Sequence, residues 1–306
     1  MGSPLGGTSG LGATILAELN VNGQTQFVGN VTADAVQILA LINAAGLELM
    51  REFDWQALQT EYRFNTQFVT TTGNITAGSA VITGIPSTAG IAAKTWGVIT
   101  GPGISQDAYV LSVDSAVQIT MSQPATVTAT GQALTFAQFQ YPFPSDFDRI
   151  TNRTQWDKTK HWEMLGGETP QQWQWLKSGY ISTGPRVRWR QMGRTFQVWP
   201  WLATNEYLGW EYISNSWVYS AAGAGQSAFL ADTDTCIFDD RLIITKTKLK
   251  YWEVKGFDTT AFARDYERLR DIAKGIDSGS TTLSMAPTAS QVLVGIQNIP
   301  DTGYGN

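Results

Sequence analysis

The sequence predicts an α+β protein: a small helical bundle core, β-rich regions beside it, and an inserted all-β domain of sandwich or barrel type. Three observations predict it. Apolar residues recur at three- and four-residue spacing after residue 32 and again after residue 240, the period of a helix with one buried face. Between these lies a stretch, 66–137, whose only charges are Lys94, Asp107 and Asp114 and which is rich in Thr, Val, Ile, Gly and Ala. A further region, 185–220, alternates aromatic and polar residues with the period of a strand. The expected organisation is an N-terminal arm (1–30), a core (31–65 and 138–275), the insert (66–137) and a C-terminal tail (276–306).

In chain order, residues 1–30 are Gly-rich with one short apolar run, Ile15 to Leu19, and read as an arm with at most a short helix. The first strong helix spans 32–58. Thr32 is placed to cap it, and Asp34 favours the positive end of the helix dipole. Ala35, Ile38, Leu39, Ile42, Ala45, Gly46, Leu49 and Phe53 form its buried stripe. Gly46 suggests close approach by another helix. In the insert, "SAVITGI", "AYVLSV", "AVQITM" and "ATVTAT" read as strands between turns marked by Gly and Pro. Pro142 and Pro144 in "FQYPFPSDF" make a rigid exit, because proline fixes φ and forces its predecessor into extended geometry. Thr169 before Pro170 predicts a capped short helix, "PQQWQWLKSG", ending at Gly179. The run 185–201 reads as a hairpin turning at Met192–Gly193, and 208–220 as another alternating run with a turn at Asn215–Ser216. "AGAGQSAF" (222–229) reads as a flexible loop. Helices follow at 240–254, capped by Asp240 and stopped by Gly256, and at 259–274. The remaining residues read as a tail in which "SQVLVGI" (290–296) has the pattern of one added strand.

Composition narrows the chemistry. Charged residues make up 15% of the 306 positions, against roughly 25% for an ordinary soluble protein, while twelve tryptophans raise the aromatic share to 11%. This pattern predicts surfaces covered by neighbouring proteins. Charge is unevenly spread: residues 1–140 hold three basic and eight acidic side chains, and 141–306 hold eighteen of each. No concentrated basic stripe of a nucleic-acid binder stands out. One cysteine, Cys236, and one histidine, His161, cannot build a disulfide or a His/Cys metal site within one chain. His161 lacks a nucleophile-elbow context, and no phosphate-cradling G-x-x-x-x-G-K-[ST] loop occurs. The acidic group Asp232, Asp234, Asp239 and Asp240 lacks the spacing of a calcium loop, and "DFD" (146–148) is a weak candidate for a carboxylate pair. The expectation is no catalytic residue, no cofactor and no metal. No basic leader precedes an apolar run at the N-terminus, and no stretch reaches eighteen continuous apolar residues, so no membrane partner is expected.

One pattern points to contact with a partner. Arg186, Arg188 and Arg190 alternate with Val187 and Trp189, so on a strand the arginines share a face. Three like charges there need compensation, by Glu206 or Glu211 on later strands, by carboxylates of a neighbouring subunit, or by phosphates. Trp173 and Trp175 on the short helix, with Val292 and Val294 in the tail, complete the candidate interface.

The order of the segments resembles a known family. An amphipathic helix ends in "EFDW", a β-insert follows, and then come "FPSDFDRITNRTQWD", "TPQQWQWLKSG", "RVRWRQMGRTFQVWPW", "YLGWEYISNSWV" and "DDRLIITKTKLKYWEVKGFDTTAFARDYERLR". This is similar to the head-to-tail adaptor (connector, tail accessory or tail tubular) proteins of short-tailed bacteriophages, over about 32–60 and 139–275. The resemblance implies a structural, non-enzymatic protein at the head–tail junction of the virion. It would form a ring of its own copies, usually twelve, beneath the portal protein, extend the channel for packaged double-stranded DNA, and seat a tail or nozzle protein. It also implies that the C-terminal segment reaches the portal while the β regions face the nozzle or outer side. The insert and the tail are additions to the smallest adaptors. The alternative is a tail-associated carbohydrate-binding or glycan-hydrolysing module, which needs an exposed carboxylate pair in an aromatic cleft.

Overall fold

The computed structural model describes residues 2–178 and 187–278. The chain is a mixed α+β fold of short helices and several mainly antiparallel sheets. Its helices are α1 (Leu11–Glu18), α2 (Ala33–Glu52), α3 (Pro170–Lys177), α4 (Asp240–Lys255) and α5 (Thr260–Ser278).

Helices α1, α2, α4 and α5 share one core. Ile38, Ile42, Ala45 and Leu49 of α2 meet Leu242, Ile243 and Leu249 of α4 there, with Tyr266 from α5. The first thirty residues are part of this core rather than an arm: Leu5, Leu11, Ile15, Leu16 and Phe27 are all buried. Carboxylates hold them in place. Asp240 accepts hydrogen bonds from the amide and hydroxyl of Ser3, and Asp232 accepts from the amides of Phe27 and Val28. Glycine-rich sequence here means tight packing: a Cβ on Gly12 would stand 2.4 Å from the Phe27 ring.

The helix boundaries have local causes. α2 stops at Glu52, six residues before the predicted end, because Phe53 is extended and the Trp55 indole donates to the Leu49 carbonyl at 2.7 Å. That bond satisfies one of the last-turn carbonyls that every helix leaves free. Thr32 occupies the cap position of α2 but makes no side-chain capping bond. At α4 the cap is Asp239, not Asp240: its carboxylate accepts from the amides of Arg241 and Leu242, leaving Asp240 for Ser3. Gly256, at φ +74°, ends α4 as predicted. α5 runs to Ser278, past the expected start of the tail, and Asp277 accepts from the amides of Gln56 and Ala57. α3 has the cap expected of Thr169 and Pro170, and Gln172, which the sequence reading did not single out, reciprocates to complete a capping box; its predicted end at Gly179 lies outside the described residues.

From the helical core the chain leaves along β1 (Gln59–Asn65). It then forms β2 (Phe68–Ile75), β3 (Val81–Ile82), β4 (Trp96–Thr100), β5 (Val110–Ser115), β6 (Gln118–Met121) and β7 (Ala129–Gln138). These make two three-stranded antiparallel sheets, β2-β7-β4 and β3-β6-β5. Ile75, Ile82, Val110, Ile119, Leu134 and Phe136 belong to one core drawn entirely from this segment.

The chain continues through β8 (Gln140–Pro142), β9 (Phe147–Ile150), β10 (Trp156–Asp157), β11 (Trp162–Glu163) and β12 (Leu165–Gly166), then α3. After it come β13 (Arg188–Met192), β14 (Thr195–Trp199), β15 (Tyr207–Ser214), β16 (Val218–Tyr219), β17 (Gly225–Gln226) and β18 (Thr235–Cys236). The sheets are β1-β15-β10-β11, with β9 also on β15; β12-β13-β14-β8; and β17-β16-β18. β13 and β14 form the predicted hairpin, with Met192 opposite Thr195 and Gly193 at φ +60° in the turn. Asn215–Ser216 is not a hairpin turn. β15 and β16 on either side join different sheets, because Trp217 leaves the strand to enter the helical core. The predicted loop 222–229 contains β17, paired with β16.

Aromatic packing unites the second half. Trp210 on β15 has Tyr62, Phe143, Phe147, Phe196 and Tyr212 around it at ring-centroid distances of 5.3–5.7 Å. Offset and edge-on pairs of this kind add roughly 0.5–1.5 kcal/mol each beyond the area they bury. A smaller cluster of Phe139, Trp173, Leu176, Trp199 and Trp201 joins α3 and β14 to the insert.

Candidate interaction surfaces

The predicted arginine face is half accounted for inside the chain. Arg188 donates to Glu168 at 2.7 Å, so this loop carboxylate, and not Glu206 or Glu211, compensates it. Glu206 is engaged elsewhere, by Lys160 at 2.8 Å and by the Thr204 hydroxyl. Burial would raise the Glu206 carboxyl, but the Lys160 and Thr204 bonds outweigh it and hold it below the usual range. Arg190 is half-buried and has no carboxylate partner among the described residues. Arg186 lies outside the described residues, as do Val292 and Val294.

Two of the predicted interface residues are core residues. Trp189 is stacked on Phe196 at 5.4 Å, and Trp173 is sealed against the insert junction. The reason is strand geometry: on β13 neighbours in sequence point to opposite sides, so Arg188 and Arg190 face away from the core that Trp189 enters. On α3 the helical period decides: Trp173 and Leu176, three residues apart, share the buried face, and Trp175, at 47%, is exposed. The wider premise of an aromatic exterior also needs correction. Eight tryptophans are buried: 55, 96, 173, 189, 199, 201, 210 and 217; only Trp162 and Trp175 are exposed.

The remaining chemical candidates have structural occupations. His161 is exposed, in the turn between β10 and β11, at φ +56°. Asp146 accepts from the Tyr212 and Ser214 hydroxyls, and Asp148 pairs with Arg149 at 2.8 Å. Asp234 accepts from the amides of Leu230 and Ala231. Among the described residues no group of three or more His, Cys, Asp or Glu is placed to hold a metal. Cys236 is buried, and burial pushes its thiol up to about 12.

A surface that single-stripe reasoning overlooks lies on α2. From Ala35 to Leu47 this helix has no charged residue, and apolar side chains occur all round it. Its inner face is in the core. Its outer face carries Val36, Ala40 and Leu47, spaced four and seven residues apart and therefore aligned. All three are exposed, Val36 at 51% and Leu47 at 40%. By length and composition alone α2 could cross a membrane. Its C-terminal end is instead tied into the helical layer by ion pairs: Lys246 of α4 lies 2.7 Å from Glu52 and 3.3 Å from Glu48, and Lys250 also pairs with Glu48. The sequence signal for this face was present in Val36, Ala40, Leu41, Ala44 and Leu47, since a helix apolar on every side is normally buried on every side.

No protein-family model and no curated protein matches this sequence. Among the described residues the candidate surfaces are the uncharged outer face of α2, Arg190 on β13 without a carboxylate partner there, and the exposed Trp175 on α3.

Proposed function

We propose that this chain is a structural subunit of a virion, a head-to-tail adaptor that forms a ring beneath a portal, extends the DNA channel and seats the tail. The observation that carries the reading is the outer face of α2. An aligned, uncharged apolar stripe on a helix that is otherwise part of the core is the kind of surface a protein partner covers. In a closed ring each subunit uses one surface against a different surface of the next. α4 packs against both α2 and α5, so the free sides of those two helices suit such a head-to-tail contact. The insert, with two small sheets on one core, would be a sandwich-like decoration on the outer side of the ring. The segment order that resembles the adaptor family supports the same assignment.

Electron microscopy of the purified chain, alone and mixed with portal rings of a short-tailed phage, tests this. Closed rings stacked on the portal are expected. A chain that stays monomeric and does not bind any portal under either condition would sink the proposal. The double variant V36D/L47D, which charges the outer face of α2, should keep the monomer folded and abolish rings.

A further inference from the structure

α5 ends at the mouth of an apolar groove. Trp55, Phe238 and Leu242 form its buried floor, and Leu269, Ile272, Ala273 and Ile276 of α5 form one wall, around a cavity of about 290 Å³. The lip is open: Ile272 is 53% and Ile276 77% exposed. Both carboxylates at the rim are occupied by backbone amides, Asp239 at the start of α4 and Asp277 at the Gln56–Ala57 turn. The groove therefore offers side-chain burial and little else, and it selects an uncharged apolar occupant.

We infer that the occupant is the chain's own C-terminal segment, residues 290–296. This run, "SQVLVGI", is the densest apolar stretch of 279–306, a segment whose only charged residue is Asp301. In extended form Val292, Val294 and Ile296 point to one side, spaced by about 6.8 Å. Three such side chains span about 13 Å, close to the roughly 10 Å that seven helical steps cover from Leu269 to Ile276. The connection is also suitable. Eleven residues, 279–289, separate the end of α5 from the segment. A linker of that length has a root-mean-square span of about 18 Å, enough to fold back along the helix it leaves. Covalent attachment gives an effective concentration in the range of about 1 mM, which outcompetes the same segment of a second copy at micromolar concentration. This inference stands whether or not the chain forms rings.

Disulfide trapping in the full-length chain tests it. Ile272→Cys and Val292→Cys are introduced together. The native Cys236 is 3% exposed and serves as the single-thiol control. After mild oxidation at about 1 μM and about 100 μM protein, a shifted monomer band of equal yield at both concentrations is expected. A ladder of multimers that grows with concentration assigns the groove to the tail of another copy and overturns the inference, as does the absence of any cross-link. A second variant, V292D/V294D, should raise the fluorescence of an apolar dye several-fold with unchanged circular dichroism. Dye binding equal to that of the unmodified chain would also overturn it. Neither readout involves a portal or a ring, so failure here is separable from failure of the adaptor reading.

Discussion

At the scale of single residues, two glycines do what no other residue could. A Cβ on Gly46 of α2 would stand 2.2 Å from the Trp217 ring, and one on Gly97 of β4 would stand 1.8 Å from Trp201. Gly46 thus admits an indole from the strand region, not a second helix. Gly46→Ala is expected to cost about 1–3 kcal/mol of stability through overpacking, seen as a lower urea midpoint with an unchanged slope. Neighbouring aspartates divide their labour as sharply. Asp239→Ala removes the α4 cap and should cost about 1 kcal/mol. Asp240→Ala should leave α4 intact, and raise hydrogen exchange at the Ser3 amide that its carboxylate accepts. Equal effects of the two substitutions on α4 would contradict this division.

Among elements, the contact between α2, α4 and α5 is electrostatic at one end and apolar at the other. Burial alone would raise the Glu52 carboxyl; hydrogen bonds from Lys246 and Tyr266, with the Lys246 charge, outweigh it and hold it below the usual range. Glu48 and Glu18 are lowered in the same way by lysine and arginine partners on α4. For a carboxylate lowered on folding, the stabilisation is complete above its unfolded pKa, about 4.3. It is lost as pH falls through the lower folded value, because the unfolded chain then binds more protons. Thermal stability should therefore fall below about pH 4, and the fall should be shallower in Glu52→Gln. A profile identical in the variant would remove this group from the account. α2's outer face makes the complementary prediction: V36D/L47D changes assembly, not the melting temperature of the monomer.

Over the whole molecule, the insert and the remaining fold meet through aromatic rings. Trp201 stacks on Phe139 at 4.9 Å and packs edge-on to Trp199, over the backbone of Gly97. Trp201→Ala should cost about 3–5 kcal/mol. Limited proteolysis should then cut at the segments that join the insert, near residues 66–67 and 138–139, before it cuts the insert's own core. Cutting first inside 68–137 would mean that the insert depends on this junction for its folding.

The amino-acid sequence by itself determined what local chemistry can specify. It showed the helical period of α2, α4 and α5, the cap at Thr169, the β13–β14 hairpin and the sparsely charged β character of 66–137. Each is written within a few residues of where it acts. Tertiary structure decided everything that depends on distant partners. Glu168, not Glu206 or Glu211, neutralises Arg188; Asp232 and Asp240 draw a glycine-rich start into the core; and most tryptophans turn inward. Periodicity tells which residues share a face but not which face finds a neighbour. That is settled only when elements far apart in the chain compete to bury the same apolar area.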